Sequence, residues 1–237
     1  MVFGWFRKII RQEAGVPATF PYPYEIVSGE LAHQRLLSLR ASGRGTPIIL
    51  GGPEQFDRIE GLQQVNHATP GELLALAAKL DPIRWLEERE HESPALFDVV
   101  ESDWPEHVTP NQSLSANLDV HTREPLDQVY IAVLPDHDAW KTACFLKVGG
   151  WNAMPSAPEH SALWRFWENR YGAKVACVAD DVIEFTVERP PQTREEALEL
   201  AKQQFIYCDD IVYQGVGSLE ALAATILKAG VWYFWWD

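Results

Sequence analysis

The sequence predicts an α+β fold, in which helices pack on a mainly antiparallel sheet and a smaller mixed α/β region precedes it. Two observations support this fold class. Strand-like runs arrive as adjacent pairs interspersed with amphipathic helices, and the chain closes on the aromatic run Val231–Trp236. With 237 residues, of which 46% are hydrophobic and 23% charged, the chain has the balance typical of folded proteins.

Residues 1–104 form the predicted mixed α/β N-terminal region. Its predicted strands cover residues 25–27 and 47–50, and its predicted helices cover residues 29–41, 54–66 and 83–91. A further helix begins after Thr69, because Thr69 and Glu72 have the spacing of a capping box and Pro70 suits a first helical turn.

Residues 105–127 contain many Pro, Asn and Ser residues and few large apolar ones, which predicts a linker or long loop. The C-terminal domain then covers residues 128–237. Its predicted strands are residues 129–134, 143–148, 175–178, 183–188 and the terminal aromatic run, and its helices begin after Ser156, Thr193 and Ser218.

Two details of this domain are further expectations. Residues 183–188 alternate between apolar and polar, which predicts a hairpin strand with one solvated face. Residues 231–236 are apolar on both faces, which predicts a buried strand in the centre of the sheet.

Cys144, Cys177 and Cys208 form an odd set without metal-ligand spacing, and this favours buried, reduced thiols and a cytoplasmic protein. The first residues do not have the order of a secretory signal. Residues 2–11 have one apolar helical face, so a helix docked on its own domain and a helix lying on a membrane surface are both conceivable. We expect no membrane insertion.

Negative charge is concentrated in the middle of the chain. The net charge is −14, and residues 81–106 hold nine acidic against two basic residues. This density repels phosphate backbones, which excludes nucleic acid, and it attracts basic proteins. Solvation of a helix face is the simpler explanation, but apolar residues among the carboxylates are typical of interfaces. The candidate partner-binding residues are Glu87, Glu88, Glu90, Glu92, Asp98, Glu101, Asp103, Trp104 and Glu106.

Chemical motifs are scarce. The sequence has no phosphate-binding glycine loop, zinc-protease motif or nucleophile elbow. Four weaker candidates for acid–base chemistry or metal binding are better explained by turns and packing: His137 between two aspartates, Asp180-Asp181 with Glu184, Cys208 beside Asp209 and Asp210, and His160. We therefore assign no catalytic, cofactor-binding or metal-binding residue.

Several separated motifs in the C-terminal half nevertheless agree in order with one family. They are Gly149-Gly150-Trp151-Asn152 with Pro155, Trp167–Ala173, Asp181 with Glu184, Arg189-Pro190-Pro191, Glu196-Ala197 and Trp232–Asp237. Over about residues 128–237 the chain resembles the bacterial family known as domain of unknown function 4253. The resemblance implies a bacterial, cytoplasmic protein with a domain boundary near residue 128. It does not identify any catalytic residue.

Three functions remain open at the level of sequence. The first is an acidic binding protein of the immunity or antitoxin type, which neutralises a basic toxin by occlusion. The second is an enzyme or small-ligand binder with a pocket between the two halves, near His137, His160 and Trp151. The third is a general protein-interaction module.

Overall fold

One six-stranded sheet organises the protein. In the computed structural model, which describes residues 20–92 and 102–237, the strand order is β1-β3-β2-β4-β5-β6. Neighbouring strands are antiparallel except for the parallel pair β2–β4. The strands are β1 (Tyr24–Val27), β2 (Thr46–Ile49), β3 (Val129–Leu134), β4 (Ala173–Ala179), β5 (Val182–Val187) and β6 (Val231–Trp235). The predicted α+β fold with a mainly antiparallel sheet is confirmed.

Eight α-helices lie in the described ranges. They are α1 (Gly29–Ser42), α2 (Pro53–Val65), α3 (Pro70–Ala77), α4 (Pro82–Glu92), α5 (Thr142–Leu146), α6 (Ala157–Tyr171), α7 (Arg194–Tyr207) and α8 (Leu219–Ile226). A π-helical turn, Ile211–Val216, connects the last two. The capping box predicted at Thr69 is present, α6 begins after Ser156 as predicted, and Gly172 ends α6 in the left-handed conformation.

Hydrophobic side chains cover both faces of the sheet. The larger core lies between one face and helices α2 to α8, and it includes Trp164, Trp167 and Phe185. The smaller core lies on the opposite face under α1, and it includes Leu36 and Leu114. All three cysteines are buried, as expected. None of the described helices has the length and hydropathy needed to cross a bilayer.

The predicted strand at residues 143–148 is wrong. Thr142–Leu146 forms α5 instead, directly after a short 3₁₀ turn at Ala139–Lys141. Lys147 takes a left-handed conformation (φ 56°) and ends the helix. A short apolar run has no periodicity that separates a strand from a buried helical turn, so the sequence pattern was ambiguous here.

Residues 105–127, which form no helix and a single isolated bridge in the structure, cross the sheet face that carries the smaller core. The amide of Gly29 donates to the carbonyl of Leu126 at 2.7 Å, so α1 holds this segment in place. A side chain at Gly29 would meet the carbonyl oxygen of Asn117 at 2.4 Å. We call residues 105–127 the crossing segment. Strands from both sides of it pair in one sheet.

The strand β5 differs from the prediction of a solvated face. Its polar residue Glu184 is 1% exposed, because the crossing segment covers it. The hairpin of β4 and β5 around Asp180-Asp181 is itself confirmed. The alternation of apolar and polar residues therefore distinguished the two faces of β5 correctly. It could not show that the crossing segment covers the polar face at Glu184.

The aromatic strand β6 is buried, but it lies at an edge of the sheet and not at the predicted centre. The side chains of Trp232, Phe234 and Trp236 are buried in the larger core, whereas Tyr233 on the other face is 37% exposed. The outer edge is partly occupied, since the amide of Val231 donates to the carbonyl of Asn111 at 3.1 Å. The apolar residues of β6 are therefore explained by the helices and the crossing segment that pack against this edge strand, and they do not require a central position in the sheet.

Candidate functional site

The helix α4 carries four of the candidate partner-binding residues. Leu86 is buried against the core, and Glu87, Glu88, Glu90 and Glu92 are all exposed on the remaining surface of the helix. The helix has an amphipathic pattern, and this pattern orients the acidic residues toward solvent. We call these four residues and His91 the acidic face. They line an open surface groove of about 750 Å³.

Side-chain contacts fix α4 to the C-terminal half of the chain. The indole nitrogen of Trp85 donates to Oε1 of Glu159 at 2.8 Å, at the start of α6. The guanidinium of Arg89 lies 5.0 Å from the centre of the Trp85 ring and donates to the carbonyl of Ala153 at 2.5 Å. These contacts engage both Trp85 and Arg89 of α4 within the fold.

The charges of the acidic face oppose helix stability. Glu88 and Glu92 are four residues apart and Glu87 and Glu90 three apart, and like charges at these spacings repel by about 0.2–0.5 kcal/mol per pair. Carboxylates in the last helical turn also face the negative end of the helix dipole. Arg84 forms an ion pair with Glu88 at 2.7 Å. No basic side chain within residues 20–92 and 102–237 pairs with Glu87, Glu90 or Glu92.

The other candidate residues follow α4 in the sequence. Asp98 and Glu101 lie outside the described residues. Asp103 and Glu106 are exposed, and Trp104 is half-buried, with the guanidinium of Arg194 at 4.6 Å from its ring centre. Trp104 therefore already has an intramolecular partner at the start of α7, and among the described candidates the acidic face is the continuous group.

The aspartates around His137 have a structural partner. Lys141 lies 2.8 Å from Oδ2 of Asp136 and 3.0 Å from Oδ2 of Asp138, and the hydrogen bond to Asp136 raises the pKa of Lys141. The imidazole of His137 is exposed. This arrangement closes the turn after β3, so both carboxylates are engaged in the fold.

The acidic pair at the β4–β5 turn also has local partners. Asp180 pairs with Arg58 at 2.5 Å, and Oδ2 of Asp181 accepts a hydrogen bond from the indole of Trp235 at 3.1 Å. Burial raises the pKa of Asp181. Within the described residues, no group of three His, Cys, Asp or Glu side chains is arranged to hold a metal ion.

Glu184 is the most enclosed carboxylate among the candidates. Its Oε1 accepts hydrogen bonds from the amide and the hydroxyl of Ser115, both at 2.7 Å, and its Oε2 accepts one from the amide of Ala116 at 3.0 Å. Backbone donors of the crossing segment thus satisfy both carboxylate oxygens, and Glu184 connects this segment to the sheet.

Cys208 is buried, and its thiol donates to the carbonyl of Trp235 at 3.0 Å. Burial raises the pKa of this thiol, which keeps it protonated and makes it a poor metal ligand. The neighbouring Asp210 accepts a hydrogen bond from the amide of Asp237 at 3.1 Å. These contacts close the C-terminus against the loop after α7.

His160 is 0% exposed and lies in a buried aromatic cluster on the first turn of α6. Its Nδ1 is 2.7 Å from the hydroxyl of Tyr207, which also accepts a hydrogen bond from the indole of Trp164 at 2.9 Å. The ring centre of Trp236 is 5.8 Å from that of His160. Burial, with a smaller contribution from Arg89, lowers the pKa of His160 to about 3, so the imidazole is neutral.

The two candidate histidines have different surroundings, because His137 is exposed to solvent and His160 is fully buried. Sequence reasoning missed Tyr207, Arg89 and Ser115 as partners of the candidate residues. They come from distant parts of the chain, and no local pattern indicates such contacts. The repeated glycine at Gly149-Gly150, which follows α5, was the one local signal near His160.

Comparison with known proteins gives one finding. Residues 130–237 match the family model described as a domain of unknown function, DUF4253. No curated protein and no solved structure matches the chain. The resemblance that the C-terminal motifs indicated is thereby confirmed, and the match covers residues 130–237, the C-terminal half of the chain.

Proposed function

We propose that this chain is a binding protein that docks a positively charged protein on the acidic face of α4. The closest functional type is an immunity or antitoxin protein of the bacterial cytoplasm, which neutralises a basic toxin domain by occluding it. Nucleic acid is excluded from this proposal as a partner, because the acidic face would repel a phosphate backbone.

One observation supports the proposal most directly: the charges of the acidic face lower the stability of α4, the helix on which they lie. Three exposed carboxylates lack an ion-pair partner in the described part of the chain, and the four glutamates repel one another near the negative end of the helix dipole. Functional sites commonly retain such locally unfavourable features. A basic partner would relieve the repulsion on binding.

The charges also predict how the partner binds. A cluster of one sign attracts an oppositely charged protein over a distance of about 10 Å at 0.1 M salt, and it raises the association rate by about 10- to 1,000-fold. Association should therefore be fast at low salt and slow at high salt. Dissociation should depend less on salt, because it is governed by short-range contacts.

The test replaces Glu87, Glu88, Glu90 and Glu92 with glutamine and measures binding to the product of the adjacent reading frame. We expect the association rate at low salt to fall about 10- to 100-fold. The same variant should unfold at an equal or higher denaturant concentration than the wild type, since the repulsion within α4 is removed. Loss of binding could then not be attributed to unfolding.

The matched control makes the same change in net charge elsewhere. Glu30, Glu54, Asp57 and Glu124 are exposed and lie on α1, α2 and the crossing segment. Their replacement by the corresponding amides should leave binding close to the wild-type value. If the two quadruple variants bind equally, net charge or another surface governs association, and the assignment of the acidic face is wrong.

A further inference from the structure

The crossing segment covers the smaller core with few buried side chains of its own. Within residues 105–127, Leu114 alone is buried, and Ala116 and Leu126 are partly buried against the same core. The rest of the segment is half-buried or exposed. Stretches with few buried apolar contacts open at a lower free energy than the core of the same protein. We therefore expect the crossing segment to open before the strands beneath it.

Hydrogen bonds attach the segment at two places, one on each side of its middle. Near β6 the amide of Val231 donates to the carbonyl of Asn111 at 3.1 Å. Near α1 the side-chain amide of Asn117 donates to the carbonyl of Gly29 at 2.9 Å. The stretch between Asn111 and Asn117 contains Leu114, so the apolar contact of the segment lies between its two attachments.

One carboxylate holds the middle of the segment on the sheet. Glu184 accepts the three hydrogen bonds that Ser115 and Ala116 donate to it, at 2.7, 2.7 and 3.0 Å. Leu114, the buried side chain of the segment, is the neighbour of Ser115 in the sequence. The polar and the apolar contact are therefore adjacent, and release of one favours release of the other.

Cys177 lies in the smaller core beside this carboxylate. It is paired with Glu184 across β4 and β5, it is 0% exposed, and it shares a core cluster with Leu114. Burial, with a smaller contribution from Glu184, raises the pKa of the Cys177 thiol well above its usual range, so the closed structure keeps it protonated and unreactive. Cys144 and Cys208 are also free and buried, but they lie in the larger core. We call these two the reference thiols.

We propose that the crossing segment is a strap that opens while the sheet and the larger core stay folded. Release of Leu114 and of the hydrogen bonds to Glu184 uncovers the face of β4 and β5 beneath the segment. The open form exposes Cys177 beside the carboxylate of Glu184. The acidic face takes no part in this opening, because Leu86 fixes α4 to the larger core. The strap therefore does not depend on the proposed docking function.

The experiment alkylates the full chain with iodoacetamide under native conditions and measures the initial rate at each cysteine by peptide mass spectrometry. The thiolate displaces iodide, so the rate reports how often each thiol is exposed to solvent. We expect Cys177 to react at least about 10-fold faster than the reference thiols, because local opening is more frequent than global unfolding. Low concentrations of urea should raise the rates at the reference thiols and leave the rate at Cys177 nearly unchanged, since opening of the strap exposes little surface.

A pair of matched variants tests whether the crossing segment is the element that opens. Ser115→Ala removes one of the hydrogen bonds to the charged acceptor, and we expect alkylation of Cys177 to become about 10-fold faster. Ser113→Ala is the same change at an exposed position of the segment. It is the control and should leave all three rates unchanged.

A third variant tests whether the larger core stays folded when the strap opens. Ile206 is buried in the larger core on α7. Ile206→Val weakens that core, and we expect alkylation of the reference thiols to become about 2- to 10-fold faster. The rate at Cys177 should not change, because opening of the strap leaves the contacts of Ile206 intact.

Three results would overturn the proposal. One is alkylation of Cys177 at a rate equal to or below that of the reference thiols. Another is a rate at Cys177 that rises with urea, or in Ile206→Val, by the same factor as the rates at the reference thiols, because Cys177 would then be exposed only by global unfolding. The third is an unchanged rate at Cys177 in Ser115→Ala, which would assign the opening to another element.

Discussion

A chain that ends at Val231 will not fold cooperatively. Its missing residues include Trp232, Phe234 and Trp236, which are 0–1% exposed in the larger core. Each large aromatic side chain buries about 150–250 Å², which at about 25 cal/mol per Å² gives roughly 10–20 kcal/mol for the three. The free energy of unfolding of a whole domain is only about 5–15 kcal/mol.

The measurement is chemical unfolding followed by near-ultraviolet circular dichroism, together with binding of a hydrophobic dye. Removal of Asp237 alone is the control: the lost contacts are the hydrogen bonds to Asp210 and Asn152, so we expect a change of about 1–2 kcal/mol. A soluble chain ending at Val231 with a sigmoidal unfolding curve would contradict the assigned role of β6.

Replacement of Glu184 by alanine will destabilise the protein by about 3–5 kcal/mol. The substitution leaves three half-buried donors of Ser115 and Ala116 without their acceptor, at the point where the crossing segment meets β5. We also expect proteases to cut the crossing segment faster, because its main polar attachment to the sheet is lost.

A matched control for this substitution lies just beyond the same strand. Glu188 is exposed and pairs with Lys174 at 2.9 Å, and exposed ion pairs contribute about 0–1 kcal/mol. Glu188→Ala should therefore unfold close to the wild type. If the midpoints of Glu184→Ala and Glu188→Ala are equal, the buried carboxylate does not hold the crossing segment.

Features set by neighbouring residues could be predicted from the sequence. The capping boxes at Thr69, Ser156 and Thr193 located the starts of α3, α6 and α7, because the side chain and the amides it binds lie within four residues. The tail of α4 was expected to expose acidic residues, and the structure places Glu87, Glu88, Glu90 and Glu92 at the surface.

Features set by distant contacts could not be predicted. The sequence of β5 shows Glu184 at a solvent-type position, but only the fold shows that residues 115 and 116 cover it. For β6, apolar residues on both faces are compatible with an edge or a central position in the sheet. The partners of His160 come from α7 and the C-terminus, and α4 is fixed through Arg89 to a loop 64 residues away.

The central claim is that the glutamates of α4 form the docking surface for a basic protein. Hydrogen exchange of the chain with and without its partner, measured at low salt, tests this claim most directly. The account predicts that peptides covering residues 82–92 are protected in the complex and that the α4 glutamine variant loses this protection. Protection confined to other elements, with residues 82–92 exchanging equally fast in both states, would contradict it.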